Sequence, residues 1–170
     1  MREPVVSGPA DVLRETPPSP DRSAALARPT RLFRWGLSVG FAFLGLLDSV
    51  YLTWIKLANA AYTCSNIGDC ETVNNSSYSV VGGIPIAALG AAAYAVILLL
   101  LLLDRVPSGR SEPLRFGIFG LSLAGTLYSA YLTYVEVAIL KAICPFCVAS
   151  AVIVTALLVL SILRLPAPEG

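Results

Sequence analysis

The sequence predicts an all-α integral membrane protein, a four-transmembrane-helix bundle with an extracytoplasmic loop between helices 1 and 2. Three observations predict it. The 170 residues are 56% hydrophobic and 14% charged, where a soluble domain is nearer half apolar and a quarter charged. The apolar residues fall in four long blocks, each near the roughly 20 residues that span a bilayer. The basic residues cluster on alternate connectors.

Residues 1–30 are rich in Pro, Arg, Ser and Ala, include Pro17-Pro18-Ser19-Pro20 and show no apolar periodicity. They read as a disordered cytoplasmic tail. The apolar segment that follows is too long for a signal peptide and lacks a cleavage site. The membrane domain is expected over residues 31–165, and 166–170 form a short second tail. The first span runs from Trp35 to Ile55 and holds one charge, Asp48. The others run from Ile84 to Leu103, Phe116 to Val135 and Ile143 to Leu163, all uncharged. Lys56–Gly83, Asp104–Arg115 and a short turn at Glu136–Ala142 connect them.

Arg28, Arg31 and Arg34 flank the first span, Arg105, Arg110 and Arg115 lie in the middle connector, and Arg164 follows the last span. The other side carries Lys56 and Lys141, offset by Asp69, Glu71 and Glu136. The Lys/Arg bias therefore puts both termini in the cytoplasm of an inner or plasma membrane protein. The Lys56–Gly83 loop and the Glu136–Ala142 turn face outward. All four cysteines, Cys64, Cys70, Cys144 and Cys147, fall on or near that outer face.

The absence of histidine removes His-ligated zinc, His general bases and haem ligation by His. A net charge of +1 argues against nucleic acid as a partner. No metal is expected: the C-x5-C and C-x2-C spacings are loose for zinc, and zinc thiolates belong more often to reducing compartments.

Cys144-Pro145-Phe146-Cys147 opens the last span. Pro145 suits the first helical position, which puts Cys144 at the N-cap. Cysteines three apart share a helix face and can bridge, and a helix N-terminus favours a thiolate. Cys147 is expected at the edge of the membrane, within reach of a lipid-soluble electron acceptor. Cys64 and Cys70 lie in the outer loop, in a short polar ring with Gly68 that is expected to be flexible, open to a soluble partner and able to swing toward the inner pair. An outer dock and an inner relay suit thiol–disulfide exchange. The plainer reading, two structural disulfides, is weakened because a bridge inside C-x2-C closes too small a loop to stabilise much.

Ser49-Val50-Tyr51-Leu52-Thr53 recurs as Ser129-Ala130-Tyr131-Leu132-Thr133, and each tyrosine precedes a cysteine by 13 residues. The two halves read as a parallel repeat, unless two short apolar strings coincide. Asp48, a carboxylate inside a span, is a functional candidate. It either serves proton uptake by the acceptor or is a protonated packing residue bonded to Ser or Thr, the reading slightly favoured.

These residues resemble the bacterial branch of the vitamin K epoxide reductase family over about Arg31 to Arg164. The shared pattern is the loop pair Cys64 and Cys70, the loop serine Ser76, Gly83-Ile84-Pro85 entering the second span, and the closing Cys144-Pro145-Phe146-Cys147. The resemblance implies a quinone, ubiquinone or menaquinone, as electron acceptor. Cys64 would exchange with a partner, Cys70 would pass electrons to Cys144, and Cys147 would reduce the quinone. Ser76 matches a serine that supports the loop, with loop solubility as its plainer reading. Tyr94 matches a quinone-pocket tyrosine, with ordinary packing as its plainer reading. Phe146 joins them as a candidate quinone contact. Many members carry a fused thioredoxin-like domain, which is not expected here, so the partner would be a separate thioredoxin-fold, DsbA-like protein. Ala151 stands where vertebrate members have a tyrosine of the anticoagulant-binding pocket, which argues against epoxide use and inhibitor sensitivity.

The function expected is quinone-dependent reoxidation of that partner, in support of disulfide bond formation. A DsbB-type analogue ranks second, because its two cysteine pairs come in the opposite order. A non-enzymatic scaffold stapled by disulfides is the alternative from another class. A small transporter is disfavoured by the scarcity of polar residues in the second and fourth spans.

Overall fold

The computed structural model describes residues 22–58, 68–105 and 111–165. The chain divides into two units at Phe33 and Arg34. Of the first, the described part is the leading portion of helix α1 (Arg22–Ala58). The second holds the rest of α1, α2 (Cys70–Asn75), α3 (Ile86–Leu103), α4 (Ser111–Tyr134), a π-helical continuation (Val135–Leu140) and α5 (Pro145–Ile162).

The fold is an all-α bundle. Leu32–Ala58, Ile86–Leu103, Glu112–Leu140 and Pro145–Ile162 are each long and apolar enough to cross a membrane. α3 and α5 are apolar on all sides, as helices bathed in hydrocarbon must be. Large side chains such as Phe43, Leu99, Leu127 and Val152 point outward, where acyl chains receive them.

The core draws on all four spans. Ala42 of α1 meets Tyr94, Ile97 and Leu101 of α3, Ile118 of α4, and Val154 and Leu157 of α5. Small residues set how closely the helices approach. A Cβ on Gly45 would come within 2.5 Å of the Tyr94 ring, and one on Gly125 within 2.9 Å of Val154 Cγ2.

One end of the bundle is closed by basic side chains. Asp104 accepts from Arg115 at 3.2 Å and from Arg164 at 2.5 Å. Arg105 lies over the Trp35 ring at 4.4 Å, and the Trp35 indole N–H donates to Leu101 O at 2.9 Å. The cysteines described below lie at the opposite end.

Two expectations are corrected. α1 begins at Arg22, so residues 22–30 of the stretch read as a disordered tail are helical; strong helix formers such as Ala24, Ala25 and Leu26 let the span propagate backward. Residues 1–21 and 166–170 lie outside the described residues. The Glu136–Ala142 segment is not a simple turn: α4 continues as a π-helix to Leu140, and Lys141 ends it in the left-handed region at φ 52°. The loop before α3 also adds a two-residue ladder, Val80–Val81 (β1) against Ile84–Pro85 (β2). Gly82 and Gly83, at φ 59° and 84°, supply the two positive-φ positions that such a tight hairpin needs.

Candidate functional site

α2 and the start of α5 bring two cysteines together. Asp69 caps α2: its carboxylate accepts from the Thr72 N–H at 2.9 Å and the Thr72 hydroxyl at 2.6 Å. Those bonds hold the Asp69 carboxyl below its ordinary range. Cys70 follows as the first helical residue. Backbone bonding carries the loop across to the other pair, since Asp69 N–H donates to Ile143 O at 3.1 Å. Gly68, read from sequence as a source of flexibility, has a packing role instead. A Cβ there would lie 2.5 Å from Ile143 O and 2.7 Å from Pro145 Cδ.

Cys144 is the N-cap of α5 and Pro145 opens its first turn, as expected. The Cys144 sulfur accepts the Cys147 N–H at 3.4 Å. Its thiol is held below the ordinary range, first by the side-chain hydrogen bond with Cys147 and then by backbone N–H groups of the helix start, against the opposing effect of burial.

Cys70 is disulfide-bonded, while Cys144 and Cys147 are thiols. The Cys144 thiol donates to Cys70 Sγ at 3.4 Å. Both residues are buried, in a small cluster with Val73 and Ala142. A thiol thus lies directly against one sulfur of a disulfide, the starting contact of thiol–disulfide exchange. No swing of Cys70 is needed to reach the inner pair. Cys64 lies outside the described residues.

Cys147 opens onto a cavity of about 520 Å³, inside the size range of small-molecule sites. Its walls are mainly apolar, with polar groups at a few points. The Tyr94 hydroxyl bonds to Ser150 O and Oγ, each at 3.0 Å. Asp48 lines the cavity and its buried Oδ2 has no hydrogen-bond partner, so the Ser/Thr-bonded packing reading of Asp48 finds no bond at this oxygen. The repeated pentapeptides supply two walls: Ser49 and Leu52 from α1, Ser129 and Leu132 from α4. Their threonines make matching bonds one turn back, Thr53 to Ser49 O at 2.7 Å and Thr133 to Ser129 O at 2.9 Å.

The other sequence candidates divide. Ser76 and Tyr94 both line the cavity. Ser76 also tightens the end of α2, its hydroxyl donating to Val73 O at 2.7 Å. Phe146 is not among the lining residues. It lies beside the Tyr51 ring, with centroids 5.3 Å apart, because one step along α5 from Cys147 turns the side chain about 100° away. Lys56 adds a support that the sequence did not advertise: its ammonium donates to Asn74 O and Ser79 Oγ, pinning the loop to the end of α1.

Glu136 was missed. It read as a charge on the outer side, yet it is 4% exposed. Its Oε2 accepts the Cys144 N–H at 3.1 Å, and its carboxylate interacts electrostatically with the Cys147 side chain. The only cue in the sequence was a lone acid amid apolar residues, eight positions before Cys144. Among the described residues, no cluster of three or more His, Cys, Asp or Glu could hold a metal ion.

Comparison with known proteins gives this geometry relatives. The thiol-disulfide oxidoreductase LTO1 of Arabidopsis thaliana is 33% identical over 123 residues, covering 69% of this chain and 33% of that protein. The chain therefore spans about a third of the length of that relative. The profile of the Vitamin K epoxide reductase family matches residues 37–162, from within α1 to the last residue of α5. A match of that extent makes this chain a member of the vitamin K epoxide reductase family.

Proposed function

We propose that the protein reoxidises a reduced thioredoxin-fold partner and passes the electrons, through two cysteine pairs, to a quinone in the membrane. The observation that carries this reading is the 3.4 Å contact between the Cys144 thiol and the disulfide-bonded Cys70, with Cys147 facing the apolar cavity one helical turn away. The family match and the thiol–disulfide chemistry named for the plant relative support it.

In this reading Cys64 is the disulfide partner of Cys70 and meets the donor. A thiolate of the partner attacks Cys64, the partner leaves as a disulfide, and Cys64 and Cys70 become thiols. Cys70 then attacks Cys144 of an oxidised Cys144–Cys147 pair, which frees Cys147. Cys64 attacks Cys70 in turn, re-forming the outer disulfide and releasing Cys144. The inner pair now holds the electron pair as two thiols. Disulfide-bonded Cys70 beside thiols at Cys144 and Cys147 corresponds to that stage. Closure of the Cys144–Cys147 disulfide releases two electrons and two protons.

The cavity residues fit a quinone as acceptor of both. Its volume of about 520 Å³ suits a ring headgroup. The apolar walls suit a lipid-soluble molecule, and Tyr94, Ser150 and the unpartnered Asp48 oxygen offer polar groups along its wall. The bound quinone supplies the two-electron, two-proton sink. Water is kept from the Cys70–Cys144 contact by the burial of Cys70, Val73, Ala142 and Cys144. The Lys/Arg bias supports an extracytoplasmic position for the cysteines and a cytoplasmic one for the termini.

Cys147→Ala is the direct test. Quinone-dependent oxidation of a reduced thioredoxin-fold protein by the purified chain is expected to vanish in this variant. Persistence at the wild-type rate would overturn the relay.

A further inference from the structure

Glu136 is a buried carboxylate that exchange between cysteines does not use. The π-helix carries it inward. Its backbone carbonyl accepts the N–H of Lys141 and, at 3.1 Å, that of Ala142. Lys141 takes a left-handed conformation to close this turn, one that a non-glycine residue adopts only at a cost in strain. Isolated π-turns recur at functional sites. The carboxylate so placed adjoins the inner pair: it accepts the Cys144 N–H at 3.1 Å, interacts electrostatically with the Cys147 side chain, and lines the same cavity as Cys147.

We propose that Glu136 is the proton carrier of the inner cysteine pair. As the two thiols close to a disulfide, Glu136 takes the proton from Cys147 Sγ and hands it to a quinone oxygen in the cavity. The second proton comes from Cys144, and the electron pair of the new disulfide's parent thiols goes to the ring. Two thiols and one quinone give one disulfide and one quinol, with Glu136 returned as a carboxylate. This role rests on the quinone reading above.

The other titratable groups on the cavity are Asp48 and Lys56 of α1, Tyr78 of the loop, Tyr94 of α3 and Tyr128 of α4. Tyr94 is engaged with Ser150 and Lys56 with Asn74 and Ser79. Asp48 lines the cavity without a bond to either cysteine. Glu136 is the carboxylate anchored on the Cys144 N–H and sharing the cavity wall with Cys147, which places it to receive the proton.

A purely structural Glu136 would only accept the Cys144 N–H, and a glutamine does that equally well. Glu136→Gln therefore separates the two roles. Electron transfer from the chemically reduced chain to a short-chain quinone is expected to fall about 100-fold or more in Glu136→Gln. In quinone-free protein, alkylation of Cys147 against pH is expected to lose one coupled step in the variant relative to the wild type, the coupling to Cys144 remaining in both. Should Glu136→Gln fail to fold, Glu136→Asp and Glu136→Asn replace it, and the acid is expected to transfer electrons at least tenfold faster than the amide. Wild-type rate and an unchanged alkylation profile in Glu136→Gln, or equal rates in the shorter pair, would overturn the carrier role alone. A wild-type chain that reduces no quinone would overturn the quinone reading and this role with it.

Discussion

The Cys144 thiol rests 3.4 Å from Cys70 Sγ, across 74 residues of sequence. Two short devices bring them together. The Asp69 N–H bond to Ile143 O zips the loop to the segment before α5, and Gly68 lets that approach happen. With Cys147 changed to Ser, the inner disulfide cannot close, so Cys144 has Cys70 as its remaining disulfide partner. A Cys70–Cys144 cross-link is expected to accumulate in Cys147→Ser during turnover, visible by peptide mass spectrometry under non-reducing conditions.

The Cys144 thiol is held below the ordinary thiol range, and its largest single cause is the hydrogen bond from Cys147. The thiolate therefore forms at a lower pH than a free cysteine's, which titrates near ~8.5. Attack of the Cys144 thiolate on the Cys70 disulfide, the reverse of the forward step, is expected to persist to lower pH than a free cysteine allows and to fail as pH falls through the depressed value. Replacing Cys147 by Ala removes that bond, and the midpoint of the pH–rate profile is expected to move up. Quenched-flow trapping across a pH series checks both.

Gly68→Ala places a Cβ 2.5 Å from Ile143 O and 2.7 Å from Pro145 Cδ. Backbone cannot give way as a side chain can, so the loop is expected to lift and separate the two sulfurs. A drop of tenfold or more in the rate of exchange between the pairs is expected, with the thermal midpoint of the bundle little changed, since this turn meets α5 only at its first residue, Pro145.

Gly45→Ala is expected to destabilise the bundle by about 1–3 kcal/mol. Its Cβ would overlap the Tyr94 ring at 2.5 Å, and moving the ring breaks the bonds from its hydroxyl to Ser150. Gly40→Ala on the same helix meets nothing within 4 Å and serves as the neutral control. Thermal unfolding in detergent compares them, and equal midpoints would contradict the packing described.

At the far end of the bundle, Asp104→Asn removes the charge shared by Arg115 and Arg164. The Asp104 side chain is 4% exposed, so water replaces it poorly. Loss of about 1.5–3 kcal/mol is expected, read as a lower thermal midpoint with the cysteine chemistry unchanged.

Much of the site was legible because it rests on local rules. Pro145 after Cys144 signals a helix start, and the N-cap geometry follows from it. Ser76 and Tyr94 were found through the family pattern, and both reach the cavity. Phe146 was a candidate too but does not line the cavity, because its neighbour Cys147 takes the cavity face and the helix turns Phe146 toward Tyr51. Glu136 hid for a different reason. A carboxylate near a span end reads as surface charge, and nothing in the sequence says that α4 continues by a wider turn and carries it inward.

The sequence by itself determined four apolar spans, the basic bias of one set of connectors, and a proline-led cysteine pair at the mouth of the last helix. These follow from composition over roughly 20 residues and from capping rules that act within one turn. Only the tertiary structure decided that Cys70 and Cys144 touch, that Gly68 serves contact and not motion, and that Glu136 lies buried between Cys144 and Cys147. The first two depend on residues 74 or more positions apart meeting within a few ångströms, the third on a π-helical turn before Cys144, and no local preference encodes either.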